Sequence, residues 1–391
     1  MPLTVVAREW GRIGCIGFGG PPAHIALLRK LCVQERGWLA GTEFEDGVAA
    51  CNLLPGPAST QLAIYCAWRL RGPAGALVGG ACFIVPGLVV ILGLSALFLA
   101  ARPPGWVAGA ALGAGAAVPA VAVAAALALV PASWQRAARD APGRAVRLAQ
   151  ARWIGYLLAG GAAAATLGPW LVLVLAACGL IEVGVRSRRR PARQPPASPA
   201  MALLLTAAGG TAAAGGLAAL AWVAFKVGAL SYGGGFVIIP LMQHDAVHTY
   251  HWMTAAQFLT AVALGQVTPG PVVQTVAVVG YAAAGVGGGL LAGAVAFAPS
   301  FAFVLGGARH FGRLRVNTGV QAFLTGAGPA AIGAIAGAAV PLTHSLAHLW
   351  QAGVLALAAA WLIGLRRGVV TAIVGAAALG VCAYAVGWPV A

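Results

Sequence analysis

Two pairs of glycine- and proline-rich motifs carry the residues of this chain that are best suited to binding a small ion. GFGG and a later PGP occur in the first half of the chain, and YGGG and PGP recur in the second half. Glycine-rich turns let backbone N–H groups approach a ligand closely, and a helix that begins at such a turn has a partially positive N-terminus. These motifs therefore predict a binding site for an anion.

Neutral hydrogen-bonding side chains flank both PGP motifs. Such side chains can replace the water shell of an oxyanion without trapping it, because they donate hydrogen bonds but carry no net charge. They are Asn52, Ser59, Thr60 and Gln61 in the first half and Gln266, Thr268, Gln274 and Thr275 in the second. For Asn52 and Gln266, capping of a helix end is an equally good interpretation.

Basic residues and a histidine also lie close to the motifs. Arg12 and Lys226 occupy equivalent positions in the two halves, and we expect them to be the fixed positive charges nearest to the site. His24 has Ile238 at its equivalent position, so any role for this histidine would differ between the halves. A packed or hydrogen-bonded histidine is the simpler interpretation, and a proton carrier is the alternative.

Three further histidines, His244, His248 and His251, have the spacing of one helical face, which is able to bind a metal. No carboxylate or cysteine completes an evident ligand set, so we expect no metal. The chain also lacks the Walker A, GxSxG and HExxH signatures of ATP-driven proteins and of common hydrolases. We therefore predict that the protein is not an enzyme and holds no cofactor.

The motifs belong to a duplicated unit. Residues 14–57 align without a gap with residues 228–271, and 13 of the 44 aligned positions are identical at an offset of 214 residues. The match continues at an offset of 213, which pairs Gly72 with Gly285 and Pro86 with Pro299. The positions retained in both halves are mainly glycine and proline, which set the shape of the backbone.

The composition places this duplicated unit in a membrane. The 391 residues are 60% hydrophobic and only 8% charged, with a mean hydropathy of +0.88. A transmembrane helix needs about 20 apolar residues. Uncharged runs that reach or approach this length occupy residues 74–101, 106–130, 201–225, 284–305, 316–342 and 369–390. The net charge of +16 comes from basic residues in short segments between these runs, which indicates the positive-inside rule rather than nucleic acid.

The placement of the basic residues predicts how the chain crosses the membrane. The apolar stretch 47–68 has basic residues on both sides, so it is expected to dip into the bilayer and return at PGP as two half-helices. The bias of Lys and Arg reverses between corresponding segments of the two halves, which is typical of inverted-topology repeats. We predict an all-α polytopic membrane protein with two inverted-topology repeats and Gly/Pro-broken, re-entrant helices. The repeats are expected to cover residues 1–185 and 201–391, joined by a basic, proline-rich linker over 186–200.

Several connecting segments also carry predictions. The polar stretch 29–46 is expected to form an amphipathic surface helix, and residues 74–101 and 106–130 a helical hairpin. The five arginines between positions 136 and 152 predict a basic loop, and the apolar stretch 153–185 two short pieces.

Both halves resemble the chromate ion transporter family in its long-chain, two-domain form. The resemblance rests on GFGGPPAHIALLRK and NLLPGPASTQLAI in the first half and on KVGALSYGGGFVIIPLM and GQVTPGP in the second. It implies a bacterial inner-membrane protein that exports chromate, with sulfate as the competing oxyanion and the proton motive force as the energy source. Tyr232 stands where the family usually has phenylalanine. Histidine and Thr249 replace some of the acidic residues that commonly follow the second motif, so acid-based coupling does not follow from the resemblance.

The family motif residues fall at defined positions of this chain. In the first half they are Phe18, Gly19, Gly20, Pro21, His24, Asn52, Pro55, Gly56, Pro57 and Gln61. In the second half they are Tyr232, Gly233, Gly234, Gly235, Gln266, Pro269, Gly270 and Pro271. Together with Arg12, Lys226 and the neutral side chains beside PGP, these residues form the predicted substrate site.

Other functions fit the same motifs. A transporter that moves sulfate into the cell through the same site is one alternative. A passive anion channel is another, because broken half-helices also form such pores. A membrane enzyme that uses the face of His244 is a more distant alternative. Expected partners are the chromate or sulfate oxyanion and the lipid bilayer, with a homodimer as a further expectation.

Overall fold

The computed structural model describes residues 1–100, 102–139, 144–166, 170–187, 216–231, 236–308 and 317–390. Within these ranges the regular secondary structure is entirely helical. Four helical segments are long and apolar enough to cross a membrane: Ala58–Phe98, Gly105–Ala138, Val272–Gly307 and Thr318–His344. The prediction of an all-α polytopic membrane protein is confirmed.

The first half contains seven helices in the described ranges. They are α1 (Leu3–Ile16), α2 (Pro21–Arg29), α3 (Gly41–Cys51), α4 (Ala58–Phe98), α5 (Gly105–Arg139), α6 (Arg144–Thr166) and α7 (Leu171–Ser187). Glycine and proline set the breaks between them. Helix α1 ends at Ile16 and is followed by Gly17. Helix α2 begins at Pro21, and proline is favourable there because the first N–H group of a helix has no partner within the helix.

The second half repeats this order. Its helices are α8 (Leu217–Leu230), α9 (Ile239–Gln243), α10 (Ala255–Val267), α11 (Thr275–Gly307), α12 (Thr318–Gly337), α13 (Ala339–His344), α14 (Leu349–Ala359) and α15 (Val369–Ala385). Most of the predicted linker, residues 201–215 of the predicted span 201–225, and the YGGG motif lie outside the described residues.

The chain folds back at each PGP motif. Helix α3 runs antiparallel to the beginning of α4, because Gly47 lies against the ring of Tyr65 and Glu43 forms an ion pair with Arg69. Both open ends of this hairpin therefore lie at the same end of the molecule, as the dip-and-return prediction requires. Helices α10 and α11 repeat the arrangement.

Each of the long helices α4 and α11 contains a second reversal. The backbone leaves the helical conformation at Arg71 and Gly72 in α4 and at Ala284 and Gly285 in α11, with nearly the same angles. The two glycines have φ of 57° and 61°, a conformation that glycine adopts without steric cost. Each helix is thus two antiparallel arms, a short arm after PGP and a long apolar arm beyond the turn.

Two predictions about connecting segments are wrong. The stretch 29–46 is not one surface helix, because α2 continues as a π-helix over Lys30–Glu35 and the chain then turns at Gly37, which has φ of 58°. The five arginines do not lie in a loop, since Arg136 belongs to α5 and Arg152 to α6. Arginine favours helices, and Arg152 also pairs with the buried Glu182.

Helices of each half pack against helices of the other half. Helix α5 of the first half packs against α14 and α15 of the second, and α12 of the second half packs against α6 and α7 of the first. Helices α4 and α5 follow one another as the predicted hairpin, but they contact other helices far more than each other. The long helices α4 and α11 meet between the halves. The inverted orientation of the repeats in the membrane stays a prediction.

Candidate functional site

The two broken regions are tied together by a reciprocal pair of backbone hydrogen bonds. The Gly56 N–H donates to the carbonyl oxygen of Ser231 at 2.8 Å, and the Gly270 N–H donates to that of Gly17 at 2.9 Å. Each bond joins the PGP motif of one half to the end of the first helix of the other half. We call the surroundings of these two bonds the Gly56 crossing and the Gly270 crossing.

Both crossings require glycine. Gly56 has φ of 114° and Gly270 has φ of 102°, a range that residues with a side chain rarely adopt. A Cβ atom at Gly56 would also lie 2.5 Å from the Nε2 atom of Gln61. The backbone thus approaches its neighbours as closely as the sequence analysis expected of these motifs.

The Gly56 crossing contains two buried hydroxyl groups. Ser231 and Ser300 are both fully buried, and neither Oγ atom has a hydrogen-bond partner in the described part of the chain. Ser300 Oγ would lie 3.3 Å from a Cβ placed on Gly56, which puts this hydroxyl beside the turn. Gln61 donates from Nε2 to the carbonyl oxygen of Pro55 at 2.6 Å, while its Oε1 is buried without a described partner.

The Gly270 crossing is organised around His24. This fully buried histidine places Nε2 at 2.9 Å from the carbonyl oxygen of Gly17, so Nε2 carries the proton. The Gly17 oxygen therefore accepts from both His24 and Gly270. The Nδ1 atom lies 3.3 Å from the hydroxyl of Ser59, and the ring meets that of Phe83 edge-on. His24 is thus packed and hydrogen-bonded, which is the simpler of the two interpretations made from the sequence.

The rest of the Gly270 crossing is closely packed. Gln274 donates from Nε2 to the carbonyl oxygen of Ile84 at 2.8 Å, and its Oε1 is buried without a partner among the described residues. Gly87 lies so close to the carbonyl oxygen of Pro269 that any side chain at position 87 would clash. The unpartnered Gln274 Oε1 is a hydrogen-bond acceptor, as is Gln61 Oε1 at the Gly56 crossing, so neither atom would contact an anion.

The remaining neutral side chains beside PGP, apart from the exposed Asn52, are buried as well. Thr268 and Thr275 donate their hydroxyls to the carbonyl oxygens one helical turn or less before them. Thr60 Oγ1 and Gln266 Nε2 are buried and have no partner within the described ranges. A buried hydrogen-bonding group without a partner is unfavourable, and a ligand is one explanation for it. These two atoms therefore remain candidates for substrate contact.

The helix N-termini contribute fewer backbone donors than the motifs alone indicate. Helix α2 begins with Pro21 and Pro22, which have no N–H group. At the start of α4 the N–H groups of Thr60 and Gln61 both donate to the carbonyl oxygen of Pro57. Side-chain donors must therefore supply a larger share of an anion site than the sequence suggested.

Some predicted site residues lie away from the buried centre. Phe18, Gly19 and Asn52 are exposed, while Gly20, Pro21 and Pro55 are partly buried around the turns. Asn52 follows the end of α3, whereas its repeat equivalent Gln266 is buried. The predicted residues Tyr232, Gly233, Gly234 and Gly235 lie outside the described residues.

Arg12 lies at the surface rather than in the centre. Its Nε atom is 3.2 Å from the carboxylate of Glu9, which also pairs with Arg36 at 3.0 Å. With Arg8 and Glu35 these residues line a surface cavity of about 410 Å³. The carboxylate of Glu9 is itself buried and neutralises part of the positive charge.

Lys226 is also neutralised by a carboxylate. Its Nζ atom lies 2.6 Å from Asp245 Oδ2, and both side chains are largely buried. The adjacent His244 lies outside the apolar membrane-spanning helices, and its burial lowers its pKa although the charge of Asp245 opposes the change. His251 follows the π-helix with φ of 52°, so it does not share a helical face with His244 and His248.

The sequence analysis missed Ser231 and Ser300. A usable signal existed, since both are polar residues where the other repeat has glycine: Ser231 corresponds to Gly17, and Ser300 corresponds to Gly87. Ser300 also directly follows Pro299, a proline that the repeats share. Comparison of the halves for differences, and not only for identities, would have found both hydroxyls.

Comparisons with known proteins extend over nearly the whole chain. A family model described as Chromate transporter matches residues 4–183 and 218–381. The chain is 31% identical to the chromate transport protein of Cupriavidus metallidurans, over 95% of this chain and 91% of that protein. It is 28% identical to the probable chromate transport protein of Synechococcus elongatus, over 97% of this chain and 95% of the relative. It is also 28% identical to an uncharacterized transporter of Methanocaldococcus jannaschii, over 78% and 76% of the two chains. No solved structure matches the chain.

Proposed function

The chain belongs to the chromate transporter family, and from this membership we propose that it is a secondary active transporter that exports chromate across the bacterial inner membrane. The observation that carries the proposal is the pair of crossings at which the broken helices of the two halves meet. Buried polar atoms from both halves gather there without partners among the described residues. A site shared by two repeats near the middle of a membrane protein is typical of secondary transporters.

The chemistry of this centre suits a tetrahedral dianion. Chromate presents four acceptor oxygens and no donor, so it pairs with hydroxyl and amide N–H groups. Arg12 and Lys226, the cations that the sequence predicted to lie nearest to the site, are each neutralised by a carboxylate, so neutral donors dominate. Neutral donors bind an anion less tightly than charged Arg or Lys side chains do, so the anion can be released. Sulfate has the same charge and shape and is the expected competitor.

The packing between the halves suggests how the site is opened alternately to the two sides of the membrane. Helices α5 and α12 each pack against the last helices of the opposite half. Rocking of one half against the other would change the hydrogen bond at each crossing, because each of these bonds joins one half to the other. The proton motive force is the proposed source of energy.

Chromate uptake into inside-out membrane vesicles tests this function. In these vesicles the cytoplasmic face is outside, so an exporter accumulates chromate in the lumen. We expect uptake that collapses when an uncoupler is added and that falls when sulfate is in excess. Vesicles from cells without the protein are the control.

Other results would overturn parts of the proposal. Uptake that is unchanged by the uncoupler and that stops when the chromate concentrations inside and outside the vesicles are equal would indicate a passive channel. Driven chromate uptake into right-side-out vesicles, with none into inside-out vesicles, would indicate an importer. No chromate movement in either orientation would reject chromate as the substrate.

A further inference from the structure

The two crossings are related by the repeat, but their polar groups differ. At the Gly56 crossing, hydroxyl groups occupy both positions where the other crossing has glycine, Ser231 for Gly17 and Ser300 for Gly87. Both hydroxyls are fully buried, and neither is hydrogen-bonded to any residue that the structure describes. The repeat therefore places two hydrogen-bond donors at one crossing and none at the equivalent positions of the other.

At the Gly270 crossing two buried side-chain donors are already used. His24 donates to the Gly17 oxygen at 2.9 Å, and the Gln274 amide donates to Ile84 at 2.8 Å. The space that a side chain at Gly87 would need is taken by the carbonyl oxygen of Pro269 and by Gln274. These two donors are therefore not available to a ligand.

We propose that the oxyanion binds at the Gly56 crossing alone, where Ser231 and Ser300 donate hydrogen bonds to it, and that the Gly270 crossing is a packed, non-binding counterpart. This proposal deepens the proposed function and rests on it. A Cβ atom at Gly56 would lie 3.3 Å from Ser300 Oγ, so a side chain at position 56 would crowd this hydroxyl as well as Gln61. The four acceptor oxygens of a tetrahedral oxyanion allow it to accept hydrogen bonds from more than one hydroxyl.

The test is chromate binding and transport by full-length variants Ser231→Ala, Ser300→Ala and the double variant. We expect each single change to raise the KM for chromate, and the Kd measured by equilibrium dialysis, by about tenfold, which is the size of effect for a hydrogen bond to a charged group. The double variant should be weaker still, with kcat changed less than KM.

Ser95→Ala is the matched control. Ser95 is a fully buried serine on α4, and its hydroxyl donates to the Ile91 oxygen at 2.7 Å, away from both crossings. This variant also loses one buried hydroxyl, so it measures the effect of that loss on folding. We expect its KM for chromate to equal that of the wild type. Membrane content and the elution profile of the purified protein verify that all variants fold.

The outcomes separate this inference from the function on which it rests. Wild-type KM and Kd in folded Ser231→Ala and Ser300→Ala proteins would overturn the one-sided site while chromate transport stands. If the wild type does not bind chromate but binds sulfate, and the serine variants lose sulfate affinity, the substrate is wrong and the one-sided site stands.

Discussion

At the scale of single residues, the site depends on glycines in conformations that other residues avoid. Gly56 combines φ of 114° with close neighbours on both sides. An L-residue in a left-handed conformation costs about 1–2 kcal/mol, and the contact with Gln61 adds to this cost. The turn and its bond to Ser231 are therefore sensitive to a single methyl group.

We predict that Gly56→Ala lowers chromate transport by at least about tenfold, because the strained turn moves and the hydrogen bond to Ser231 lengthens. The measurement is initial uptake rate per amount of protein in the membrane. Gly93→Ala is the control, since Gly93 lies in α4 with open space around its Cα and alanine favours a helix. Equal rates in the two variants would show that the turn at Gly56 does not shape the site.

At the scale of elements, glycine has a different use, which is to bring helices together. Gly333 of α12 lies against the backbone of Leu157 in α6, and Gly109 and Gly113 of α5 lie against Gly380 of α15. Small residues at such contacts let helix backbones approach closely, which favours association inside a membrane. These contacts pack helices of one half closely against helices of the other half.

We predict that Gly333→Ala destabilises the protein, because its Cβ would overlap the carbonyl of Leu157 and force α12 away from α6. Overpacking of this kind costs about 1–3 kcal/mol. The Tm of purified protein in detergent should fall. Gly155→Ala, on α6 but with nothing near its Cα, should keep the wild-type Tm. A Tm in Gly333→Ala that matches Gly155→Ala would contradict the close packing of these helices.

At the scale of the whole molecule, the duplicated backbone is the feature that the sequence predicted best. The offset of 214 residues pairs Gly56 with Gly270, and the structure gives them nearly equal φ. The PGP hairpins and the apolar helices followed from glycine, proline and hydropathy, because these properties act locally along the chain.

Features that depend on contacts between distant segments were not predictable in the same way. Helices α5 and α12 each pack against helices of the opposite half, and Lys226 pairs with Asp245. No local sequence pattern relates the segments that these contacts join. The turn at Gly37 was missed because a polar, amphipathic composition suits both a surface helix and a helix end. Ser231 and Ser300 were missed because the site residues were chosen mainly from motifs that both repeats share, and these two positions are glycine in the other repeat.

Among the described residues, the buried Gly56 crossing and the surface cavity lined by Arg8, Glu9, Arg12, Glu35 and Arg36 are two candidate places for an anion. We place the substrate at the Gly56 crossing. Anomalous scattering from chromium in crystals of the full chain soaked in chromate would locate the anion directly. We predict a chromium peak beside Gly56, within hydrogen-bonding reach of the Ser300 hydroxyl. A peak in the arginine-lined surface cavity, with none at the crossing, would contradict the account.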